Sequence, residues 1–173
     1  MNIPTRETAR TILRSWEMID VPSLYQIMNQ STILQYFPDS SPPNLEKTKR
    51  LVDFQLSHWQ EYGYGWWAVQ KKRQGHLIGW CGLQYLPDTD EIEIAYLLDK
   101  NFWGNGLATE ASISSLEFGF RELGIQEIVG IVHTKNGASI RVLEKLGMSY
   151  PERKLYFGMD CLRYSLTEDN FPQ

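Results

Sequence analysis

Apolar residues recur along this chain with two spacings, one typical of helices and one typical of strands. Steps of three and four predict four helices: Pro22–Gln30, one beginning at Asn44, one through Ile113, Leu116, Phe120 and Leu123, and Asn136–Leu146. Runs rich in β-branched and aromatic residues predict the strands Glu7–Trp16, Tyr64–Lys71, His76–Leu86, Glu91–Leu98, Glu127–His133, Tyr150–Phe157 and Asp160–Leu166.

Residues at the borders of these segments support the assignment. Asp20 followed by Pro22 is a good helix start, Asn44 can cap the second helix, and Gly147 ends the fourth. Short turn sequences separate the three central strands, which predicts an antiparallel meander. A helix pair, a meander and a βαβαβ-like half together predict an α/β domain.

Composition limits the class of protein. The chain has 173 residues, 42% of them hydrophobic, so we expect one core and a single domain over residues 1–173. Seventeen basic and 21 acidic residues give a net charge of −4, which argues against nucleic acid as a partner. No apolar run approaches the roughly 18 residues of a membrane helix, and the first residues carry no secretion signal. We therefore expect a cytoplasmic protein that binds no membrane.

The most informative segment is D-K-N-F-W-G-N-G-L-A-T-E-A, residues 99 to 111, which joins a predicted strand to a predicted helix. Its turn contains Gly104 and Gly106. A glycine-rich turn before a helix directs several backbone N–H groups to one point, with the positive end of the helix dipole behind them. The segment therefore predicts an anion site, and a phosphate group suits it.

The spacing narrows the choice of anion. The chain contains no Gly-Lys dipeptide, which excludes a P-loop, and Thr109 stands where a dinucleotide fingerprint needs its third glycine. The segment resembles the acetyl-CoA pyrophosphate loop of the GNAT N-acetyltransferases, [QR]-x-x-G-x-[GA]. Gly106 and Ala108 match, while Trp103 replaces Gln or Arg. The string W-G-N-G-L-A-T-E-A is similar to the ribosomal-protein alanine N-acetyltransferases, which tolerate Trp there.

The resemblance extends over essentially the whole chain and implies the GNAT fold. That fold is a single mixed, mostly antiparallel sheet of about six to seven strands with about four helices on its faces. The resemblance also implies acetyl-CoA as cosubstrate. It would be held by the backbone of Leu97 and Leu98, by Asn136 on the pantetheine arm, and by Ser139. The pyrophosphate loop itself would comprise Trp103, Gly104, Asn105, Gly106, Leu107, Ala108 and Thr109.

Two catalytic groups are expected on the strand Glu91–Leu98. Alternation puts Glu91 and Glu93 on one face, and an exposed pair of glutamates is an ordinary alternative. Functionally, Glu93 would take a proton from the attacking amine, directly or through water. The resemblance to GNAT proteins, aligned backwards from Trp103, implies that the Leu98 N–H would stabilise the oxyanion, a contribution of about 3 kcal/mol.

The demand on the base depends on the amine. A lysine-like amine of pKa near 10.4 is neutral about once in 2,500 molecules at pH 7, and a peptide α-amine of pKa near 8 about once in ten. A protein N-terminal amine therefore needs only a modest base.

The sequence assigns the general acid less directly than the general base. GNAT enzymes often carry a Tyr seven residues after the motif Asn, and here that position is Leu143. Ser139 is the alternative for protonating the thiolate, although a Ser in a first helical turn is also a plain helix-start residue. Tyr96 and Tyr150 are further candidates for the general acid, and His133 is interpreted as structural.

These features predict acetyl transfer by direct amine attack in a ternary complex. The acceptor would be a protein N-terminal amine, with a small-molecule amine (polyamine, amino acid or antibiotic) as the alternative. A non-catalytic acetyl-CoA sensor is a third hypothesis, because the usual Tyr and the usual residue at 103 are both replaced. Cys81 and Cys161 have no metal or redox spacing, so we expect no metal and no acyl-cysteine route. Pairing of sheet edges between two copies of the chain is one way in which a homodimer could form.

Overall fold

Eight strands form one mixed sheet in this computed structural model, which describes residues 3–172. The strands are β1 Arg6–Glu7, β2 Thr11–Arg14, β3 Trp66–Lys71, β4 Leu77–Leu86, β5 Glu91–Leu98, β6 Glu127–His133, β7 Ser149–Tyr156 and β8 Met159–Thr167. Their order across the sheet is β1-β2-β3-β4-β5-β6-β8-β7. All neighbours are antiparallel except β5 and β6, which are parallel.

The sheet has one strand more than the expected six to seven, because the segment predicted as one strand over Glu7–Trp16 is a hairpin. Thr8 ends β1 by donating its backbone N–H to the Thr11 carbonyl, and its hydroxyl accepts the Thr11 N–H, both at 2.9 Å. A threonine side chain that bonds nearby backbone favours a turn over a continuous ladder. The loose alternation in this segment therefore reflected two short strands.

Four α-helices cover the two faces: α1 Val21–Met28, α2 Leu45–Tyr62, α3 Leu107–Glu117 and α4 Gly137–Lys145. The predicted cap of α2 is present, since Asn44 Oδ1 accepts the Lys47 N–H at 2.8 Å. Helix α1 and Val52 of α2 pack on one face of the sheet against Trp80 and Leu97. Helices α3 and α4 pack on the other face.

Helix α3 buries a different side from the one that its apolar spacing indicated. Leu116 and Phe120 are buried as predicted, but Ile113 is 46% exposed. The face against the sheet is made of small residues, among them Ala111, Ser112 and Ser115. Both serine hydroxyls lie 3.5 Å from the Cys81 sulfur. Small side chains let α3 approach the sheet closely, which positions the start of the helix beside the end of β5.

None of the helices within residues 3–172 has the length and apolar character required to cross a membrane. Residues Met1, Asn2 and Gln173 of the predicted domain lie outside the described part of the chain.

Candidate functional site

The glycine turn between β5 and α3 has the geometry of an anion site. Gly104 and Gly106 have φ values of 75° and 73°, in the left-handed region that glycine tolerates best. No described atom lies within 4 Å of the position that a Cβ of Gly104 would occupy. The turn is therefore open on this side, and the first N–H groups of α3 are available to a bound anion.

Arg10, from the hairpin between β1 and β2, holds this turn from outside. Its Nη1 donates to the Asn105 carbonyl at 2.9 Å, and its Nε donates to Glu110 Oε2 at 2.6 Å. The Asn105 side chain turns back and donates to the Trp103 carbonyl at 3.0 Å. Sequence reasoning missed Arg10, because nothing local relates residue 10 to residue 105.

A cavity of about 870 Å³ extends from the glycine turn across the end of the sheet. It brings together every predicted site residue except Asn105. The predicted residues that line it are Glu93, Leu97, Leu98, Trp103, Gly104, Gly106, Leu107, Ala108, Thr109, Asn136 and Ser139.

Glu93 is the only carboxylate among the described residues that line this cavity. It is 7% exposed, and Gln84 Nε2 donates to its Oε2 at 2.5 Å. Burial raises the pKa of Glu93 to about 7, although hydrogen bonds from Gln84 and from the Ile131 backbone partly offset that effect. Glu93 therefore changes its charge near neutral pH, as a proton acceptor for an amine must.

Glu91 occupies a different environment, so the two glutamates are not a solvated pair. Its Oε1 accepts from Arg163 Nε, and its Oε2 accepts from the Tyr156 hydroxyl at 2.9 Å. Burial acts to raise the pKa of Glu91, but its hydrogen bonds and the Arg163 charge outweigh burial and lower it. Glu91 is thus a structural anion, whereas Glu93 faces the cavity.

The strands β5 and β6 separate near the end of β5. Their ladder pairs Glu93 with Val129. On the other side of β5, the Asp99 N–H donates to the Ile78 carbonyl of β4 at 2.8 Å. Because such bonds alternate along an antiparallel pair, the Leu98 N–H points away from β4, toward the gap beside β6. Trp103 Nε1 donates to the Leu98 carbonyl at 2.6 Å and ties the glycine turn to this strand end.

The start of α4 lies across the gap from β5. Asn136 caps α4, since its Oδ1 accepts the Ser139 N–H at 3.2 Å. The Ser139 hydroxyl lies 2.6 Å from the Tyr96 hydroxyl. Burial raises the pKa of Tyr96, so its phenol keeps its proton at neutral pH. The sequence named both residues separately, and only the fold places them in contact.

The other residues considered for catalysis are placed less favourably. Tyr150 is 82% exposed and is not part of the cavity lining. His133 lines the cavity, with its ring 5.1 Å from the Tyr36 ring and its Nδ1 3.1 Å from the Lys135 backbone N. Cys161 also lines the cavity, but burial raises the pKa of its thiol and disfavours the nucleophilic thiolate.

Three cations line the cavity beside α4: Lys135, Arg141 and Lys145. None of them has an ion-pair partner among the described residues. Positive charge at this end suits a polyanionic ligand, and it adds to the N–H groups of the glycine turn. Within residues 3–172, no cluster of His, Cys, Asp and Glu is suited to hold a metal ion.

Comparison with known proteins matches residues 10–149 to the acetyltransferase (GNAT) domain. The chain is 32% identical to the uncharacterized protein YkkB of Bacillus subtilis, over 87% of this chain and 88% of YkkB. An acetyltransferase structure from Agrobacterium tumefaciens superposes with a TM-score of 0.83 at 26% identity, covering 96% and 95% of the two chains. The structure of RimL, a ribosomal alpha-N-protein acetyltransferase in complex with coenzyme A, gives a TM-score of 0.77 at 21% identity, covering 96% and 98%.

Proposed function

The chain belongs to the family of GNAT N-acetyltransferases, and from this premise we propose that it acetylates a primary amine by direct attack in a ternary complex with Glu93 as general base. The observation that carries the proposal is the position of Glu93, a buried carboxylate of pKa about 7 in the cavity that the glycine turn borders. A base near neutral pKa is well matched to an amine that loses its proton near neutral pH.

The fit of the residues to acetyl-CoA rests on charge and shape. Gly104 leaves the turn open on one side, and the α3 N-terminus and the cations beside α4 supply positive charge for phosphate groups. We assign the pyrophosphate to this turn and the pantetheine arm to the gap at Leu97, Leu98 and Asn136. When bound, acetyl-CoA supplies the thioester carbonyl that the amine attacks.

Leu98 would stabilise the charge that develops on the thioester oxygen. Its N–H points into the gap between β5 and β6, and the hydrogen bond from Trp103 to the Leu98 carbonyl fixes the adjoining peptide unit between Leu98 and Asp99. A preorganised backbone donor of this kind contributes about 3 kcal/mol. Trp103 therefore has a role at a position where the related loops carry Gln or Arg.

Ser139 would protonate the departing thiolate, and Tyr96 would return a proton to Ser139. The hydroxyls are 2.6 Å apart, so a proton that leaves Ser139 can be replaced from the Tyr96 phenol. This pair compensates for Leu143, which stands at the position of the usual Tyr and is 2% exposed. The raised pKa of the Cys161 thiol supports direct amine attack over an acyl-cysteine intermediate.

For the acceptor we propose the α-amine of a peptide or protein N-terminus. The string from Trp103 to Ala111 is similar to that of the ribosomal-protein alanine N-acetyltransferases, and an α-amine of pKa near 8 suits a base of pKa about 7. The aromatic lining of the cavity favours a small amine as a second candidate.

Acetyl transfer into one mixed pool, detected by mass spectrometry, tests the proposal. The pool contains short peptides with Ala, Ser and Met N-termini, polyamines, free amino acids and aminoglycosides. Acetylated peptides support the N-terminal acceptor, and an acetylated small amine replaces it with the second candidate. Binding of acetyl-CoA without product from any amine would favour a sensor module and contradict the proposed catalysis.

A further inference from the structure

The acceptor end of the cavity has a floor made by one face of three adjacent strands. Cross-strand partners on β4 and β5 are Trp80 with Leu97, Gly82 with Ala95, and Gln84 with Glu93. The middle row contains Gly82 and Ala95 together with Trp66 of β3, the partner of Gly82, and the small Ala95 lines the cavity there. Rows on one face are about 7 Å apart, so this shallow middle row lies one row from the general base.

Two stacked tryptophans stand on the side of this floor away from Glu93, with Trp66 on β3 in the middle row and Trp80 on β4 in the row beyond it. The rings of Trp66 and Trp80 are 3.7 Å apart between centroids and 4° from parallel, and Phe37 lies edge-on to Trp80 at 6.1 Å. All three residues line the cavity. The pocket therefore offers a rigid, flat aromatic wall within one side-chain length of Ala95.

This wall presents no charged group to a second ammonium ion. The indole Nε1 atoms of Trp66 and Trp80 are buried donors without a partner among the described residues. An ammonium group carries three donors and no acceptor, so it requires carboxylate or carbonyl oxygens. Glu93 is the single carboxylate of the described lining, and the amide oxygens of Gln35 and Gln84 are neutral acceptors that leave the charge of a second ammonium uncompensated.

From this arrangement, and building on the proposed acetyl transfer, we propose that the acceptor is a singly charged primary amine carried on a flat, uncharged aromatic group. The amine lies at Glu93, the spacer crosses Ala95, and the aromatic group packs against Trp66, whose ring is stacked on the buried Trp80. The same chemistry is present in a free aromatic monoamine and in a peptide that begins with an aromatic residue. Polyamines and aminoglycosides are disfavoured, because they would leave ammonium groups against the aromatic wall.

The experiment uses two matched pairs of amines with the full chain and saturating acetyl-CoA, with CoA release as the readout. The first pair, n-butylamine and 1,4-diaminobutane, differs only in the second charge. The second pair, 2-phenylethylamine and 2-cyclohexylethylamine, differs in the flatness of the ring. We expect kcat/KM to be lower for 1,4-diaminobutane than for n-butylamine by at least about tenfold. We expect kcat/KM to be lower for 2-cyclohexylethylamine than for 2-phenylethylamine by about three- to tenfold.

Two short peptides distinguish the sources of the aromatic amine. Preference for a Phe-Gly-Gly peptide over 2-phenylethylamine identifies a peptide acceptor, and the reverse preference identifies a free monoamine. Either result supports the inference if an Ala-Gly-Gly peptide is slower than Phe-Gly-Gly.

The variant Trp66→Leu tests the wall itself. The Trp66 backbone is held independently of its ring, since its carbonyl accepts from Trp16 Nε1 at 2.8 Å and its N–H donates to Gln55 Oε1 at 3.0 Å. We expect KM for 2-phenylethylamine to rise about tenfold while KM for n-butylamine changes less than about twofold. Phe54→Leu is the matched control, because Phe54 is a 60% exposed aromatic residue that does not line the cavity.

Four results would overturn the inference. Equal or faster acetylation of 1,4-diaminobutane means that the indole faces hold the second ammonium by cation–π attraction, and it leaves acetyl transfer intact. Equal use of the phenyl and cyclohexyl amines, or an unchanged KM in Trp66→Leu, removes the aromatic wall from recognition. No CoA release with any amine overturns both this inference and the proposed function.

Discussion

At the scale of single residues, burial decides which of two neighbouring glutamates can accept a proton near neutral pH. Glu91 and Glu93 are two positions apart on one strand, and nothing in the sequence distinguishes their environments. Arg163 neutralises Glu91, whereas Gln84 leaves the charge of Glu93 uncompensated. The resulting pKa values move in opposite directions, and only Glu93 titrates near pH 7.

Replacing Glu93 should affect activity and stability with opposite signs. We expect Glu93→Gln to lower kcat/KM chiefly below pH 8 and to remove the rise of the wild-type rate through pH 7, since an ionised Glu93 is the active form. An unchanged pH–rate profile would remove Glu93 from the mechanism.

The stability effect follows from the same raised pKa. Because the folded state holds the Glu93 proton more tightly than the unfolded chain, wild-type stability is lost as pH rises from about 4.5 to about 7. Glu93→Gln should therefore raise the free energy of unfolding at pH 8 by up to about 3 kcal/mol, and by little at pH 4. Glu91→Gln, the matched control in denaturant melts, should lower it at pH 8, because the pKa of Glu91 is shifted downward.

The contact between the hydroxyls of Ser139 and Tyr96 leads to a prediction about protonation of the coenzyme A thiolate. We expect Ser139→Ala to reduce kcat about 10²-fold, within the range for a lost general acid, with the acetyl-CoA dissociation constant little changed. Tyr96→Phe should give a smaller loss, because Ser139 can draw its proton from water. Full turnover in Ser139→Ala together with normal acetyl-CoA binding would exclude Ser139 as the acid.

At the scale of elements, the glycine turn owes its function to its backbone. Gly104 and Gly63 share a positive φ and open space around the Cβ position, but Gly63 ends α2 and does not line the cavity. Gly104→Ala and Gly63→Ala should each lower stability by about 1 kcal/mol. Only Gly104→Ala should weaken acetyl-CoA binding in calorimetry, and an equal effect of both variants would contradict the assignment of the turn.

A second element-level link joins the segment 30–38 to the end of β5. The Lys100 backbone N–H donates to Gln30 Oε1 at 3.0 Å, and its ammonium donates to Thr32 Oγ1 at 2.7 Å and to the Ser31 carbonyl. The segment contributes Tyr36 and Phe37 to the cavity.

Lys100→Met should therefore raise KM for the acceptor severalfold and change KM for acetyl-CoA less, because it loosens one wall of the acceptor end. Steady-state kinetics measure both constants. Lys72→Met, which breaks the exposed ion pair with Glu7 at 3.0 Å, is the control and should change neither. A rise in KM for acetyl-CoA alone would contradict the link.

At the scale of the whole molecule, the parallel pair β5 and β6 creates the site. A sheet whose strands separate at one end opens a gap, and α3 and α4 bring the glycine turn and Ser139 to the same gap. In the proposed assignment, cofactor and acceptor share one cavity, so both would be bound together when the amine reaches the thioester.

Initial-rate kinetics provide the test of this arrangement. When both substrates are varied, double-reciprocal plots should intersect, as a ternary complex requires. Parallel lines would indicate a covalent acyl-enzyme, and Cys161 would then be the residue to examine.

How much of this protein could be predicted depends on how locally each feature is encoded. The Asn44 cap, the two turns of the central meander and the glycine turn are set by a few adjacent residues, so the sequence predicted them. The contact between Gln84 and Glu93 was missed but was accessible, since counting outward from the turn between Leu86 and Glu91 places them opposite each other. The buried side of α3 was not accessible, because small serines carry no apolar signal.

The sequence by itself determined the family, the order of the elements and the loop that suits phosphate groups, since periodicity, turn residues and motif spacing are properties of neighbouring positions. Only the tertiary structure decided that Tyr96 meets Ser139, that Arg10 supports the glycine turn, and that Glu93 is buried without a cation. Those contacts join residues far apart in the chain. A pKa, moreover, depends on which charges and how much solvent surround a group in space.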